Sequence, residues 1–430
     1  MRKTMETTSG RTILGRAILD RLIRRFLVVG TISVRYPDGH LSVHAGTQPG
    51  PAISFRVTDW RAVRRMVLNP ALAFGESYMD GTIVPLDCSI YDALDLLLTN
   101  VANGGRQPVM ALHNLAATAL KRWAQFNPAD RARRNVAHHY DLNGRLYALL
   151  LDRDRQYSCA YFARGDETLD QAQAAKKRHI AAKLCLGRPG LHVLDIGCGW
   201  GGMALTLARD YGAQVTGITL SHEQLATARA RAAAEGLDDL VRFELLDYRA
   251  LTGTYDRIVS VGMFEHVGIS HYSEFFQVLR RVLAPDGVAL VHSIGRSFGP
   301  ATTTPWVAKY IFPGGYAPAL SEVLPAVERS GLIATDIEVL RLHYAETLRH
   351  WRRNVTAKRD AIAALYDERF CRMFEFYLAG AELAFRRKGH MIWQLQLAGR
   401  VDAVPLTRDY LTDHRAPAVW RQTADTGGDD

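Results

Sequence analysis

Glycines cluster directly after a short apolar segment, in the stretch LHVLDIGCGWGG at residues 191–202. The apolar part is typical of a buried parallel strand, because both faces of such a strand are covered. Gly197, Gly199 and Gly201 permit a tight turn into a helix and let the backbone approach a ligand closely. These residue types at this spacing indicate a site for a nucleotide-like ligand.

The next apolar strand, predicted at 214–220, helps to distinguish the kinds of ligand. In nicotinamide enzymes an acidic residue about 20 positions after the glycine motif binds a ribose hydroxyl, and the second strand of this sequence ends without one. This favours a nucleoside site of the S-adenosylmethionine type over a dinucleotide site. A glycine turn that binds nothing is the third alternative.

Four further segments place polar or titratable side chains where strands are expected to end. They are YSCAYF at 157–162, MFEHVG at 263–268, HSIG at 292–295 and LHYAETL at 342–348. Strand ends build the ligand site of a doubly wound sheet, so we expect Glu265, His292 and Tyr344 to converge on one pocket. Each of the three alone is equally compatible with an ordinary polar residue at the start of a loop.

Length and composition bound the class of protein. With 430 residues, of which 48% are hydrophobic, the chain is long enough for a full α/β domain and a smaller unit. Its 53 Lys and Arg against 44 Asp and Glu give a net charge of +9, which favours an anionic partner surface. The five cysteines show no CxxC pair and no metal-ligand spacing. We therefore expect reduced thiols, a cytoplasmic location and no metal.

The N-terminal region is predicted to be a small α+β domain over residues 1–110. Residues 11–26 place Leu14, Ile18 and Leu22 four apart among several arginines. Such a basic amphipathic helix either lies on an anionic membrane or docks on the protein with a solvated basic edge. Its charges exclude a membrane span. Strands are predicted in this region at 27–36, 41–44 and 53–57.

Strands and helices alternate in the rest of the chain, which predicts a doubly wound parallel sheet. Seven strands are predicted, at 192–197, 214–220, 242–247, 256–263, 287–294, 336–343 and 391–397. A helical insert at 346–388 carries aromatic residues at helical spacing, which favours core over substrate contact. We assign 111–134 to a linker helix, 135–420 to a catalytic domain and 421–430 to a polar tail.

These segments resemble the cyclopropane-fatty-acyl-phospholipid synthases and the related mycolic acid cyclopropane synthases. The resemblance covers roughly residues 75–400 and rests on GESYMDG, HYDL, YSCAYF, LDIGCGWGG, GITLSHEQ, LLDYR, GMFEHVG, KYIFPGG and HYAETLRHW, in that order. It implies a class I S-adenosylmethionine-dependent methyltransferase fold (Rossmann-like) behind a small N-terminal lipid-binding domain. The implied substrates are membrane phospholipids with unsaturated acyl chains.

The resemblance also assigns residues to roles. The implied cofactor contacts are Tyr157, Ser158, Gly197, Gly199, Gly201, Thr219, Gln224 and Asp247. A bicarbonate ion is implied beside the reacting carbons, held by the side chains of Glu265, His292 and Tyr344 and the backbone N–H groups of Cys159 and Ile294. Residues expected to shape the acyl channel are Tyr140, Trp306, Tyr310, Phe312 and Tyr316, each equally compatible with ordinary core.

The resemblance leaves other functions to be weighed. Some members of the family retain the added methyl group and give methyl-branched lipids. A non-catalytic lipid-binding protein on this fold is an alternative from another class, although neither Glu265 nor the cofactor glycines are lost. A nucleic-acid methyltransferase also fits the basic charge, but MFEHVG follows the fourth strand where a base-modifying motif is expected, so we expect no nucleic-acid partner. We expect peripheral association with the inner face of the membrane, and a homodimer is compatible with the sequence.

Overall fold

The computed structural model describes residues 2–105 and 144–412, which form two sheets covered by helices. The strands are β1 (Val29–Arg35), β2 (Leu41–Ala45), β3 (Gln48–Val57), β4 (Ile83–Pro85), β5 (His192–Ile196), β6 (Gln214–Thr219), β7 (Val241–Leu245), β8 (Tyr255–Val261), β9 (Leu283–Arg296), β10 (Ile333–Leu340) and β11 (His390–Ala398). The helices are α1 (Arg2–Phe26), α2 (Trp60–Leu68), α3 (Pro70–Met79), α4 (Ile90–Ala102), α5 (Gly144–Leu150), α6 (Leu169–Lys183), α7 (Gly202–Tyr211), α8 (His222–Glu235), α9 (Tyr272–Val282), α10 (Pro305–Tyr310), α11 (Leu320–Ser330), α12 (His343–Ala357), α13 (Arg359–Leu365) and α14 (Glu368–Arg387). The assigned linker at 111–134 and the tail at 421–430 lie outside the described residues.

The larger sheet confirms the predicted seven strands, in the order β10-β11-β9-β8-β5-β6-β7. It differs from the fully parallel prediction because β11 runs antiparallel to both of its neighbours. Leu340 at the end of β10 pairs with Ile392 near the start of β11, and His390 pairs with Arg296 at the end of β9. The helices between β10 and β11 therefore begin and end at the same edge of the sheet, the one at which the parallel strands end. β11 starts from that edge and has to run in the opposite direction to its neighbours.

Two strand ends near the site residues differ from the prediction. β9 continues to Arg296, two residues beyond the predicted end, because β11 supplies backbone partners there, and His292 and Ile294 lie inside this strand as predicted. β10 ends at Leu340, and Tyr344 lies in the first turn of α12.

The smaller sheet has the order β2-β1-β3-β4 and packs against α1, α2 and α4. The face of α1 that packs on the protein is not the predicted apolar stripe, which fits the membrane-facing alternative that the sequence left open. Leu19 is buried and Ile23 packs against the same core, whereas Leu14 and Ile18 are 61% and 38% exposed. A Cβ atom at Gly15 would lie 3.8 Å from Val63, so the helix docks on α2 along its glycine side. The predicted apolar stripe is therefore largely a solvent-facing one.

Asp20 joins α1 to the small sheet. Its buried carboxylate accepts hydrogen bonds from the Tyr36 hydroxyl at 2.7 Å, the Ser42 hydroxyl at 3.0 Å and His44 Nε2 at 2.9 Å. Burial raises the pKa of Asp20, but the hydrogen bonds from Tyr36, His44 and Ser42 outweigh it, and the pKa lies below its ordinary value. The charged form is therefore the one that the folded state stabilises.

Asp20→Asn is expected to lower the free energy of unfolding at neutral pH by about 1–3 kcal/mol, since buried donors lose a charged acceptor. A lowered folded-state pKa contributes stability that is present above the unfolded pKa and lost as the pH falls through the folded value. The difference between wild type and variant should therefore shrink in acid. Urea unfolding across a pH series measures both effects.

Asp38→Asn is the matched control. Asp38 is an exposed carboxylate between β1 and β2, and it pairs with Arg16, which lies on α1 as Asp20 does. Such surface pairs contribute about 0–1 kcal/mol. If both variants were equally stable at neutral pH, the assignment of Asp20 as the anchor of α1 would be wrong.

Candidate active site

A cleft lies at the carboxyl ends of the central strands, where a doubly wound sheet binds its ligands. Its lining comes from the loop before α6, the glycine turn, and the segments after β6, β7 and β8. It includes the expected cofactor residues Tyr157, Ser158, Gly197, Gly199, Thr219, Gln224 and Asp247. The cleft thus brings together seven of the eight cofactor residues expected from the sequence, and Gly201 lies directly behind them.

The glycine turn leads from β5 into α7. Gly197, Gly199 and Gly201 all have positive φ, at 81°, 55° and 85°, where residues with a Cβ are strained. A Cβ atom at Gly201 would lie 2.7 Å from Phe243, so this glycine is required by packing. At Gly199 a Cβ atom would meet nothing within 4 Å, because it would project into the cleft. Gly199 is therefore the position at which backbone and ligand approach each other.

At the ends of β6 and β7, the expected cofactor residues are each held in place by local hydrogen bonds. Thr219 donates its hydroxyl to Gln224 Oε1 at 2.9 Å, and both side chains are buried. Asp247 accepts from the backbone N–H of Arg249 at 3.0 Å and from its guanidinium at 3.2 Å. The Asp247 carboxylate, expected at the adenine amino group, is thus fixed at the cleft wall by its own neighbour.

A buried lysine supports the loop that carries Tyr157 and Ser158. Lys176 of α6 donates to Ser158 Oγ at 2.9 Å and to Gln156 Oε1 at 2.7 Å, and it is fully buried. Burial lowers its pKa to about 8. The nearby Asp195 lies at the end of β5, and burial raises its pKa to about 7. Its Oδ2 is buried and has no hydrogen-bond partner among residues 2–105 and 144–412.

These features fit a nucleoside cofactor of the S-adenosylmethionine type. The open space at Gly199 accommodates a ligand that approaches the backbone. The unpartnered Asp195 Oδ2 and the hydroxyl and amide groups at the mouth supply the few polar contacts that such a pocket uses for orientation.

Glu265 lies just behind the cleft, in a single 3-10 turn after β8. Its Oε1 accepts the backbone N–H of Ile294 at 2.6 Å, so this N–H positions the carboxylate; the sequence had instead assigned it to an anion. Burial raises the pKa of Glu265 to about 7, although the Ile294 hydrogen bond opposes the shift. The second oxygen, Oε2, is buried and has no partner in the described parts of the chain.

His292 lies on β9 beside the same turn, and its carbonyl accepts the backbone N–H of Gly262 at 2.9 Å. Burial lowers the pKa of His292 to about 3, so its imidazole is neutral near neutral pH. Its Nδ1 lies 3.1 Å from Gln394 Nε2. Its Nε2 is buried and, across residues 2–105 and 144–412, has no hydrogen-bond partner.

Tyr344 and Cys159 belong to one apolar cluster, against which Ile294 packs. Tyr344 packs edge-on against Trp351 and Phe385, at centroid distances of 5.8 and 5.1 Å. Burial raises the pKa of the Cys159 thiol, which excludes a thiolate nucleophile at neutral pH. Glu265 binds Ile294, two residues along β9 from His292, and Ile294 packs against the cluster that contains Tyr344. The convergence of the three side chains on one pocket stays a prediction.

The donor set fits a small anion such as bicarbonate. Two buried polar atoms, Glu265 Oε2 and His292 Nε2, lack partners within the described part of the chain. A buried polar atom without a hydrogen bond is costly, so a bound anion that pairs with these two atoms would stabilise the site. A carboxyl group with a pKa of about 7 is partly protonated at neutral pH, and this form can donate to an anion.

Three of the expected acyl-channel residues, Trp306, Tyr310 and Phe312, lie in or against the same cluster. Trp306 is buried and packs on Phe376 at 4.6 Å, and Phe312 packs edge-on against Tyr377 at 6.1 Å. Tyr316 has a structural hydrogen bond, because its hydroxyl donates to Glu322 at 2.7 Å. Tyr310, the fourth of the group, donates to Glu76 of the N-terminal region at 2.7 Å. Tyr140 lies outside the described residues.

The aromatic residues of the helical insert line this cluster from the other side. Trp351, Phe374 and Tyr377 are buried in it, and Trp351 stacks on Tyr157 at 5.0 Å. They are core residues, as the sequence favoured. They also connect the cofactor loop to the site of Tyr344.

Two supporting residues were not anticipated from the sequence. Lys176 is adjacent to Lys177 in a helix, a pattern that usually indicates a solvated face. Gln394 lies in an apolar strand, and a glutamine inside such a strand (WQLQ at 393–396) is the only signal of a buried polar contact.

The family model for mycolic acid cyclopropane synthetase matches residues 128–395. This chain belongs to that family. The cyclopropane-fatty-acyl-phospholipid synthase of Escherichia coli K12 is 39% identical over 349 residues, which cover 81% of this chain and 88% of the E. coli protein. The tuberculostearic acid methyltransferase UfaA1 of Mycobacterium tuberculosis is 36% identical, over 86% of this chain and 88% of its own length.

Solved structures agree with the family assignment. The cyclopropane synthase MmaA2 of Mycobacterium tuberculosis superposes with a TM-score of 0.59 at 32% identity, over 64% of this chain and 99% of its own. The mycolic acid cyclopropane synthase CmaA1, solved with SAH and CTAB, has a TM-score of 0.59 at 33% identity and the same coverage. The protein with the present sequence is thus an S-adenosylmethionine-dependent methyltransferase, as its sequence predicted.

Gly199→Val is expected to weaken S-adenosylmethionine binding at least about tenfold, because the new side chain occupies the space into which the ligand fits. Isothermal titration calorimetry measures the affinity. Gly236→Val is the matched control, since Gly236 also has a positive φ, of 65°, and open space around it, but caps the far end of α8. Unchanged affinity in Gly199→Val, or an equal loss in both variants, would refute the contact.

Proposed function

We propose that this protein transfers a methylene group from S-adenosylmethionine to the cis double bond of an unsaturated phospholipid acyl chain, forming a cyclopropane fatty acid, with bicarbonate as the base. The observation that carries the role of the base is the pair of unpartnered buried atoms, Glu265 Oε2 and His292 Nε2. Met263 and His266, which line the cofactor cleft, lie two residues before and one residue after Glu265. The proposed base site and the cofactor cleft are therefore neighbours.

When bound, S-adenosylmethionine supplies an electrophilic methyl group and bicarbonate supplies a base for the proton that the new methyl group loses on ring closure. An isolated alkene is a poor nucleophile, so the protein has to hold it close to the methyl group in a dry pocket. The buried cluster around Trp306, Tyr344 and Trp351 excludes water from this region. A dry environment also strengthens the hydrogen bonds that orient the anion.

The polar residues have separate tasks in this scheme. Neutral His292 provides a nitrogen without a partner in the described residues, Glu265 provides a carboxyl oxygen, and the phenol of Tyr344 approaches from α12. Because the Ile294 N–H holds the other oxygen of Glu265, the carboxyl group has a fixed orientation. Fixed groups keep the anion aligned with the carbon that loses the proton.

Glu265→Ala, His292→Ala and Tyr344→Phe are each expected to lower turnover by roughly 10² or more, as the loss of positioned acid–base groups does. S-adenosylmethionine affinity should stay within a few-fold, because none of the three lines the cofactor cleft. A triple variant should be little worse than the worst single variant if they act as a unit. The assay follows S-adenosylhomocysteine release on unsaturated phospholipid vesicles.

Tyr316→Phe is the control for Tyr344→Phe, because its hydroxyl binds Glu322 away from the proposed anion. Mass spectrometry of the acyl chains identifies the product. An acyl chain that has gained the mass of one methylene group and is unchanged by hydrogenation contains a ring. A saturated acyl chain with a methyl branch indicates the methyl-retaining reaction instead. Normal turnover of the three site variants in bicarbonate-depleted buffer would refute the proposed base.

We also propose that the N-terminal unit binds the membrane surface peripherally. No helix among the described residues has the length and apolar character that crossing a membrane requires. On α1, Ile13, Leu14 and Ile18 are exposed at 53%, 61% and 38%, and Arg21 and Arg24 are exposed on the same helix. Exposed apolar side chains beside arginines favour an anionic lipid interface.

Leu14→Ser with Ile18→Ser should weaken vesicle binding at any salt concentration, because apolar insertion is lost. Arg21→Ala with Arg24→Ala should weaken it at least about tenfold in low salt and less in high salt, since each arginine contributes about 1 kcal/mol through screened attraction. Co-sedimentation with phosphatidylglycerol and phosphatidylcholine vesicles measures both. The control is Leu406→Ser, an 89% exposed leucine after β11. If this control weakened binding as much, the α1 surface would not be the membrane contact.

A further inference from the structure

Gln394 lies directly opposite His292 in the large sheet. The two residues are register partners on β11 and β9, and their side chains meet, with Gln394 Nε2 3.1 Å from His292 Nδ1. Both side chains are buried, Gln394 completely. The residues on either side, Trp393 and Leu395, point to the opposite face of the sheet, and on its own face Gln394 lies between Ile392 and Gln396.

The direction of this hydrogen bond decides which ring nitrogen of His292 carries the proton. His292 is neutral, so one ring nitrogen carries a proton and the other accepts. With the amide nitrogen facing Nδ1, the amide donates, Nδ1 accepts and the proton is on Nε2. As placed, the amide leaves its Oε1 and its second N–H without partners in the described chain, and the reversed amide would leave two N–H groups unpaired, so the number of unpaired atoms favours neither arrangement. The arrangement in the structure, with the amide nitrogen at Nδ1, is the one in which Nε2 carries a proton that it can donate to an anion.

We propose that Gln394 is a positioning residue that holds His292 in the Nε2-protonated tautomer, so that the ring presents a hydrogen-bond donor to the anion. This inference rests on the proposed function, because it assigns Nε2 the task of donating to bicarbonate. In the other tautomer the lone pair of Nε2 would face the anion and repel it. The tautomer of a functional histidine is commonly set by the hydrogen bond at its other nitrogen.

A second glutamine on the same strand offers a matched control. Gln396 lies two residues further along β11 and is equally buried. Its amide donates to the backbone carbonyl of Lys183 at 2.6 Å and accepts from the Tyr410 hydroxyl at 3.0 Å, so its contacts are structural. Replacement of either glutamine by methionine removes a buried amide of similar size, but only one replacement changes the partner of His292.

The tautomer itself is measured by NMR of protein labelled with ¹⁵N-histidine, recorded without cofactor or substrate. His292→Ala identifies the His292 signals among those of the 15 histidines. In wild type and in Gln396→Met we expect an unprotonated Nδ1 and a protonated Nε2. In Gln394→Met the Nδ1 signal should move towards that of an exchanging pair of tautomers, because the fixed donor is lost.

Turnover gives the second readout. Gln394→Met should lower kcat at least about tenfold with S-adenosylmethionine affinity unchanged, whereas Gln396→Met should lower stability more than kcat. A protonated Nδ1 in wild type, or an unchanged His292 spectrum in Gln394→Met, would overturn this inference. Normal turnover of His292→Ala would instead overturn the proposed function and leave the hydrogen bond standing, so the two failures are distinguishable.

Discussion

The hydrogen bond from the Ile294 N–H to Glu265 is the contact on which the site depends. It joins the turn after β8 to β9 at 2.6 Å, inside a region from which water is excluded. The backbone carbonyl of Glu265 in turn accepts the N–H of Tyr316 at 3.0 Å, so the same residue also fixes the segment after α10. Through its carboxyl group and its backbone carbonyl, Glu265 therefore ties the turn after β8 to β9 and to the segment after α10, while its second carboxyl oxygen has no partner in the described residues.

Burial has opposite effects on the two polar groups at this point. It raises the pKa of Glu265 to about 7 and lowers that of His292 to about 3, because it disfavours the charged form of each. At neutral pH His292 is thus neutral, and Glu265 is partly protonated. When both groups are neutral donors, the site holds an anion without forming a permanent ion pair, which leaves the anion basic enough to accept a proton. Desolvation is therefore part of the proposed mechanism, and the aromatic cluster of the helical insert maintains it.

Much of this arrangement was predictable from the sequence, for definite reasons. The glycine turn, the strands of the large sheet and the convergence of Glu265 and His292 follow from local patterns whose consequences are fixed by sheet geometry. The antiparallel course of β11 was not predictable, because it depends on where the preceding helices end. Which of the two alternatives for the apolar stripe of α1 applies was not predictable, since Leu14 and Leu19 are equally apolar and only docking on α2 distinguishes them. The contact between Gln394 and His292 depends on strand register, which no local pattern specifies.

A buried contact joins the N-terminal unit to α10, whose residues Trp306 and Tyr310 are expected to shape the acyl channel. This contact links the unit proposed to bind the membrane with the proposed reaction site. Glu76 of α3 is buried and accepts from Lys309 at 2.6 Å and from Tyr310 at 2.7 Å, both on α10. Next to it, a Cβ atom at Gly75 would lie 2.5 Å from Trp306 Nε1, so the glycine allows the two helices to meet. Helix α10 is therefore held by the N-terminal unit, whose helix α1 carries the exposed apolar and basic residues. The Glu76 contacts and the close approach at Gly75 thus fix the position of α10, and of Trp306 on it, relative to the N-terminal unit.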